Sequence, residues 1–136
     1  MPKLDSVLLI DDDDINNLIS KNVLVKNQLT DKVFITKNGK EAIEFLKSFE
    51  VNGSIKCPEL IILDHSMPIM DGQEFLTHLN SLNISNRNQV VILVLAIATR
   101  TDDILQYQNL GVTEFYTKPL DNHIILHLKN KYWSIN

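Results

Sequence analysis

The chain has 136 residues, 44% of them hydrophobic and 22% charged, with a net charge of −4, the size and balance of one globular domain whose core needs no staple. The acidic balance speaks against nucleic acid as a partner, the lone Cys57 excludes an internal disulfide, and the longest apolar run, Val90 to Ala98, is too short to span a membrane. No export signal follows Met1, so a cytoplasmic location is expected.

The first apolar run, Val7-Leu8-Leu9-Ile10, predicts a strand that ends in four aspartates, Asp11 to Asp14. Ile15, Leu18, Ile19 and Val23 then share a helical face, with Asp13 or Asp14 placed to cap it. Val33-Phe34-Ile35 predicts a second strand, and Asn38-Gly39 opens a helix with Ala42, Phe45, Leu46 and Phe49 on one side. A polar loop from Val51 to Pro58 leads to a third strand, Leu60-Ile61-Ile62-Leu63, followed directly by Asp64. Asp71-Gly72 opens a third helix, with Phe75, Leu76, Leu79 and Leu82 along one stripe. Val90 to Leu95 predicts the fourth strand, followed by Ala96. A weaker stripe of Ile104, Tyr107 and Leu110 ends at Gly111. Phe115-Tyr116 predicts the fifth strand, Lys118-Pro119 follow it, and Ile124, Ile125, Leu128 and Tyr132 mark the last helix.

Five short apolar runs alternating with five amphipathic ones predict an α/β fold, a doubly wound, five-stranded parallel sheet built as (βα)5. Such sheets bind ligands beyond the carboxyl ends of their strands. There Asp11, Asp12 and Asp64 would meet if the first and third strands are neighbours, with Lys118 arriving from the fifth. Crowded carboxylates call for a cation, and Mg²⁺ suits an all-oxygen site. A carboxylate beside Mg²⁺ can attack a phosphoryl donor and become an aspartyl phosphate, with Lys118 as a second positive charge. That chemistry requires no histidine, serine or cysteine.

Those segments resemble the response regulator receiver domains of two-component systems, the family of the chemotaxis response regulator. The resemblance rests on Val7-Leu8-Leu9-Ile10-Asp11-Asp12-Asp13, on Asn38-Gly39-Lys40-Glu41-Ala42, on Leu63-Asp64-His65-Ser66-Met67-Pro68-Ile69-Met70-Asp71-Gly72 and on Lys118-Pro119, and it runs from about Ser6 to Tyr132. It implies a flavodoxin-like receiver fold with strand order 2-1-3-4-5 and a single stand-alone domain with no output domain. It implies Asp64 as phosphoacceptor, Asp12 as a direct Mg²⁺ ligand, Asp11 acting mainly through water, and the Ser66 backbone carbonyl as a further ligand. Lys118 would hold a phosphoryl oxygen, and the bond before Pro119 would be cis. The expected donor is a histidine kinase or histidine phosphotransfer protein. The expected output is a downstream protein docked on helix 4, strand 5 and helix 5, with neither nucleic acid nor membrane involved. The chain would be a phosphoacceptor rather than an enzyme, limited to phosphorylating itself from small donors and dephosphorylating itself.

Two positions depart from the family pattern. The serine or threonine expected at the end of strand 4 falls on Ala96, and only a larger slip of register would bring Thr99 there. The aromatic switch position on strand 5 falls on Phe115, without the frequent hydroxyl. These losses support an alternative, a pseudo-receiver that binds partners without phosphorylation. A third resemblance is looser: Asp11-x-Asp13 is similar to the opening of haloacid-dehalogenase-type phosphatases, but that reading leaves Leu63 to Gly72 unexplained. His65 reads as a pocket-rim residue, His123 and His127 as a surface pair, and Cys57 as an inert thiol.

Overall fold

In a computed structural model of the chain, residues 3–67, 69–98 and 100–133 are described. Each apolar run forms a strand: β1 (Val7–Ile10), β2 (Val33–Thr36), β3 (Leu60–Asp64), β4 (Val91–Ala96) and β5 (Glu114–Thr117). The helices between and after them are α1 (Asp14–Lys26), α2 (Gly39–Lys47), α3 (Gly72–Ser81), α4 (Thr101–Asn109) and α5 (Asn122–Tyr132). All strand pairs are parallel, in the order β2-β1-β3-β4-β5. The order in which strands are added reverses beside β1, and that is the switch point at which such sheets place their sites.

Strand alternation divides the interior in two. Leu8, Ile10, Ile61, Leu63, Ile92 and Val94 face α2 and α3 and meet Phe75, Leu76, Leu79 and Tyr107. Val7, Leu9, Leu60, Ile62 and Leu93 face the other way, onto Leu24 of α1 and Ile124, Ile125 and Leu128 of α5. Central strands covered on both faces explain why their sequences are almost wholly apolar.

Asx residues start four of the five helices. Asp13, Asn38, Asp71 and Asp121 each accept a hydrogen bond from an amide in the first turn that follows, an arrangement typically worth about 1 kcal/mol. The exception is α4, where Arg100 stands at the cap and makes no such bond.

The sequence-based expectation for α1 needs correction. Ile15, Leu18 and Ile19 are exposed (70%, 59% and 38%), whereas Asn17, Ser20 and Leu24 face the sheet. The polar residue can point inward because Asn17 Nδ2 donates to the Asp11 carbonyl at 2.8 Å, so its burial leaves no group unpaired. An apolar stripe at helical spacing is therefore presented outward.

Gly72, the first residue of α3, is required by close packing. A Cβ there would collide with the Tyr107 hydroxyl and lie 3.3 Å from the Asp64 carbonyl oxygen. Gly72→Ala is expected to lower the unfolding free energy by about 1–3 kcal/mol, measured as a reduced urea midpoint with unchanged slope. An unchanged midpoint would show that Tyr107 yields without cost.

Candidate functional site

Parallel pairing brings the strand ends together. Asp11 follows β1, Asp64 is the last residue of β3, and the register pairs Ile10 with Leu63, so the two carboxylates are neighbours. Ligand oxygens of Asp11, Asp12 and Asp64 all lie within 4.8 Å of one another. Asp11 and Asp64 are buried and Asp12 is exposed, so the cluster opens outward on one side. Its donors are three hard carboxylates and no sulfur or imidazole, a set that fits Mg²⁺.

Lys118 is delivered by the last strand. Its backbone N–H donates to the Ala96 carbonyl at 2.8 Å, anchoring the β5 exit to the end of β4. Its Nζ lies 2.8 Å from Asp64 Oδ1 and 3.4 Å from Asp11 Oδ2. The Lys118–Pro119 bond is cis. Further amide donors reach the carboxylates: Asp13 N–H to Asp11 Oδ1 at 2.9 Å and Ser66 N–H to Asp64 Oδ1 at 3.3 Å. Asp13 itself caps α1 through Ile15 and Asn16, so its carboxylate is engaged rather than free for acid–base work.

Burial dominates the electrostatics. It raises Asp11 to about 6, with the Asp64 charge pushing the same way and the Asp13 amide and Lys118 pulling back. For Lys118, burial acts downward, but the bonds and charges of Asp64 and Asp11 outweigh it and hold the ammonium above its ordinary value. The two shifts are compatible: Lys118 relieves Asp11 only in part, because burial costs the carboxylate more than one shared cation returns.

Above the cluster lies a cavity of about 490 Å³, lined by Asp12, Asp64, His65, Ala96, Arg100 and Lys118 among others. Ala96 is buried and brings a methyl group where a hydroxyl was expected. Phe115 is half-buried and packs 5.5 Å from the Tyr107 ring. Thr99 lies outside the described residues, as does Pro68.

Other residues fall largely where expected. His123 and His127 are exposed, and His127 Nε2 is 3.7 Å from Glu114. Cys57 is buried, which pushes its thiol up to about 11 and leaves it unreactive. His65 is more than a rim residue: its Nδ1 is 2.7 Å from the hydroxyl of Tyr107, which is fully buried. Sequence reasoning used Tyr107 only as an apolar stripe position, and a tyrosine at a fully buried helical site was the signal that its hydroxyl needed a partner.

A second polar centre was missed altogether. Glu114, buried at the start of β5, accepts from Lys131 Nζ at 2.8 Å, from the Tyr116 hydroxyl at 2.8 Å and from the Tyr132 hydroxyl. Burial would raise this carboxyl, but the three donors prevail and hold it below the usual range.

Comparison with known proteins gives a consistent result. The family described as response regulator receiver domain matches residues 7–129. A curated relative, the sensor histidine kinase CheAY of Helicobacter pylori, is 34% identical over 83% of this chain, which spans 13% of that protein's length. The aerobic respiration control sensor protein ArcB of Escherichia coli is 29% identical over 94% of the chain, again only 15% of the relative. Among solved structures, a two-component response regulator from Cytophaga hutchinsonii superposes with a TM-score of 0.85 at 26% identity, covering 96% of this chain and 98% of that one. Another from Legionella pneumophila gives 0.79 at 28% identity, covering 98% and 100%.

Proposed function

Because the chain belongs to the response regulator receiver family, we propose that it takes a phosphoryl group on Asp64 in a two-component or phosphorelay pathway and signals through protein contacts. The observation that carries this is the buried Asp64 carboxylate, 2.8 Å from Lys118 Nζ and within 4.8 Å of the Asp11 and Asp12 oxygens. Among the described residues, the two donors that reach Asp64 both fall on Oδ1, which leaves Oδ2 for the incoming phosphorus. With a phosphohistidine donor, the new O–P bond forms as the P–N bond breaks, and the imidazole departs with the electron pair and takes a proton. Lys118 then holds a phosphoryl oxygen, and the backbone donors after Asp64 orient the group. Mg²⁺, held by Asp11, Asp12, Asp64 and the Ser66 carbonyl, would supply neutralisation of the phosphoryl charge. The chain's own part is that of a phosphoacceptor, not of an enzyme acting on other molecules.

The outward stripe of Ile15, Leu18 and Ile19 begins two residues beyond Asp13, at the rim of the cavity. It suits a helical partner that carries the phosphohistidine, either a histidine kinase or a phosphotransfer protein. Downstream docking belongs to the face of α4, β5 and α5, where Leu105 and Leu126 are exposed. Among the described residues no helix is long and apolar enough to cross a membrane.

Incubation with Mg²⁺ and acetyl phosphate tests the proposal, with one phosphoryl adduct expected by intact mass. Absence of any adduct would favour the pseudo-receiver reading, which Ala96 and Phe115 support by lacking hydroxyls. The raised Asp11 adds a pH signature, because the proton must leave before the carboxylate can ligate. Mg²⁺ affinity is expected to be flat above about pH 6 and to fall by roughly tenfold per pH unit below it. Calorimetric titration at a series of pH values checks this, and pH-independent binding between 5 and 7 would refute it.

A further inference from the structure

The hydroxyls that receivers use at the ends of strands 4 and 5 are absent at Ala96 and Phe115, yet a buried hydroxyl does stand beside the acceptor, and it comes from α4. We infer that His65 and Tyr107 form the link through which the state of Asp64 sets the position of α4. This inference rests on the phosphoacceptor reading above.

The attachment of α4 is concentrated on one side chain. Tyr107 is its one buried residue, and the helix lacks the side-chain cap that the other four possess. The Tyr107 ring packs 5.5 Å from Phe115 and 5.5 Å from the His65 imidazole. Its hydroxyl meets His65 Nδ1 at 2.7 Å. Burial, followed by the charges of Asp71, Asp103 and Asp64, raises the phenol and keeps it protonated. Among the described residues the hydroxyl has one hydrogen-bond partner, so the protonated phenol donates to Nδ1 and the ring proton falls on Nε2. Nε2 lies 3.6 Å from Asp103 Oδ2, one helical turn before Tyr107 on the same face of α4. The imidazole is thus bonded to α4 through Nδ1 and turns Nε2 toward the Asp103 carboxylate of the same helix.

The other end of the link is bonded to the site. His65 directly follows Asp64, its N–H donates to the Leu95 carbonyl at 3.0 Å, and its own carbonyl accepts from Gly72 N–H at 3.4 Å. Any adjustment of the Asp64–Ser66 backbone around a phosphoryl group turns the His65 side chain with it. Asp103 lines the same cavity as Asp64, so a phosphoryl group, carrying roughly two negative charges, repels the carboxylate that flanks the imidazole. Repulsion at Asp103 and rotation at His65 both act on α4, and Tyr107 carries the movement to Phe115 on β5.

The test uses the full chain with Mg²⁺ and beryllofluoride, read by ¹⁵N NMR. The unsubstituted protein is expected to bind and to shift the amides of α4 and of Phe115. Tyr107→Phe, which removes only the hydroxyl, is expected to bind as before while the α4 shifts fall to about a fifth or less. Full α4 shifts in that variant would overturn the link. A second measurement needs no variant: the His65 ring is expected to show an unprotonated Nδ1 whose shift moves on beryllofluoride addition. A protonated Nδ1 in the free protein, or a ring that does not respond, would also overturn it. Failure of the unsubstituted protein to bind beryllofluoride at all would instead remove the phosphoacceptor reading, and this inference with it.

Discussion

Asp64→Asn is expected to take up no phosphoryl group from acetyl phosphate and Mg²⁺, under conditions in which the unsubstituted chain gains one. The amide keeps the shape of the side chain and a carbonyl oxygen for Lys118, but it is not a nucleophile toward phosphorus. Lys118 also retains Asp11 at 3.4 Å, so the ammonium is not stranded by the change. The fold should not suffer. Burial and then the Asp64 charge are what raise Asp11 to about 6, so removing that charge relieves a repulsion that the native protein carries at neutral pH. Intact mass and a thermal melt together give the result: no adduct, with a midpoint equal to or above that of the parent. An adduct of undiminished yield would move the acceptor to Asp11 or Asp12 and defeat the assignment.

Glu114→Ala is expected to cost about 3 kcal/mol of stability at pH 7. The carboxylate gathers Lys131, Tyr116 and Tyr132 at the end of the sheet opposite the site; its loss leaves the Tyr116 hydroxyl without its acceptor and Tyr132 with Thr113 Oγ1 at 3.0 Å. Lys131→Ala should cost much less, since the ammonium is half exposed and both tyrosine donors would remain. The effect has a pH sign. Glu114 is held below its ordinary value of 4.5, so its stabilising share is complete above about 4.5 and is lost as pH falls through the lower folded value. Urea unfolding of the parent and Glu114→Ala should therefore differ most at neutral pH and converge in acid. A gap that widened on acidification would contradict the proposed charge state.

Much of the architecture was legible because parallel sheets leave a plain record. Strands covered on both faces need unbroken apolar runs, and the residues just past them are the ones that can reach a ligand. Asp11, Asp64 and Lys118 were found from that placement, and the structure brings them within bonding distance. Periodicity was less informative for α1. It shows that Ile15, Leu18 and Ile19 are contiguous, but not which way they face, and Asn17 turned inward because the Asp11 carbonyl was there to receive it. Pairs far apart in the chain left still less trace. His65 and Tyr107 are 42 residues apart, and Glu114 and Lys131 are 17 apart. Such contacts depend on how helices settle on the sheet, which no local pattern records. Glu114 and Tyr116 do share a strand face by alternation, so a carboxylate at a buried strand position was a visible irregularity.

The two-sided interior has an evolutionary consequence. The apolar stripe at the acceptor rim belongs to α1, whose core contacts lie on the same side of the sheet as α5. Tyr107, with the α4 that it anchors, belongs to the opposite side. On the docking reading above, substitutions that retune the choice of phosphoryl donor and substitutions that retune the packing of α4 fall in separate packing neighbourhoods, and sites of this kind combine nearly independently. On that reading, a lineage can change its phosphoryl donor without first repacking α4, and the reverse.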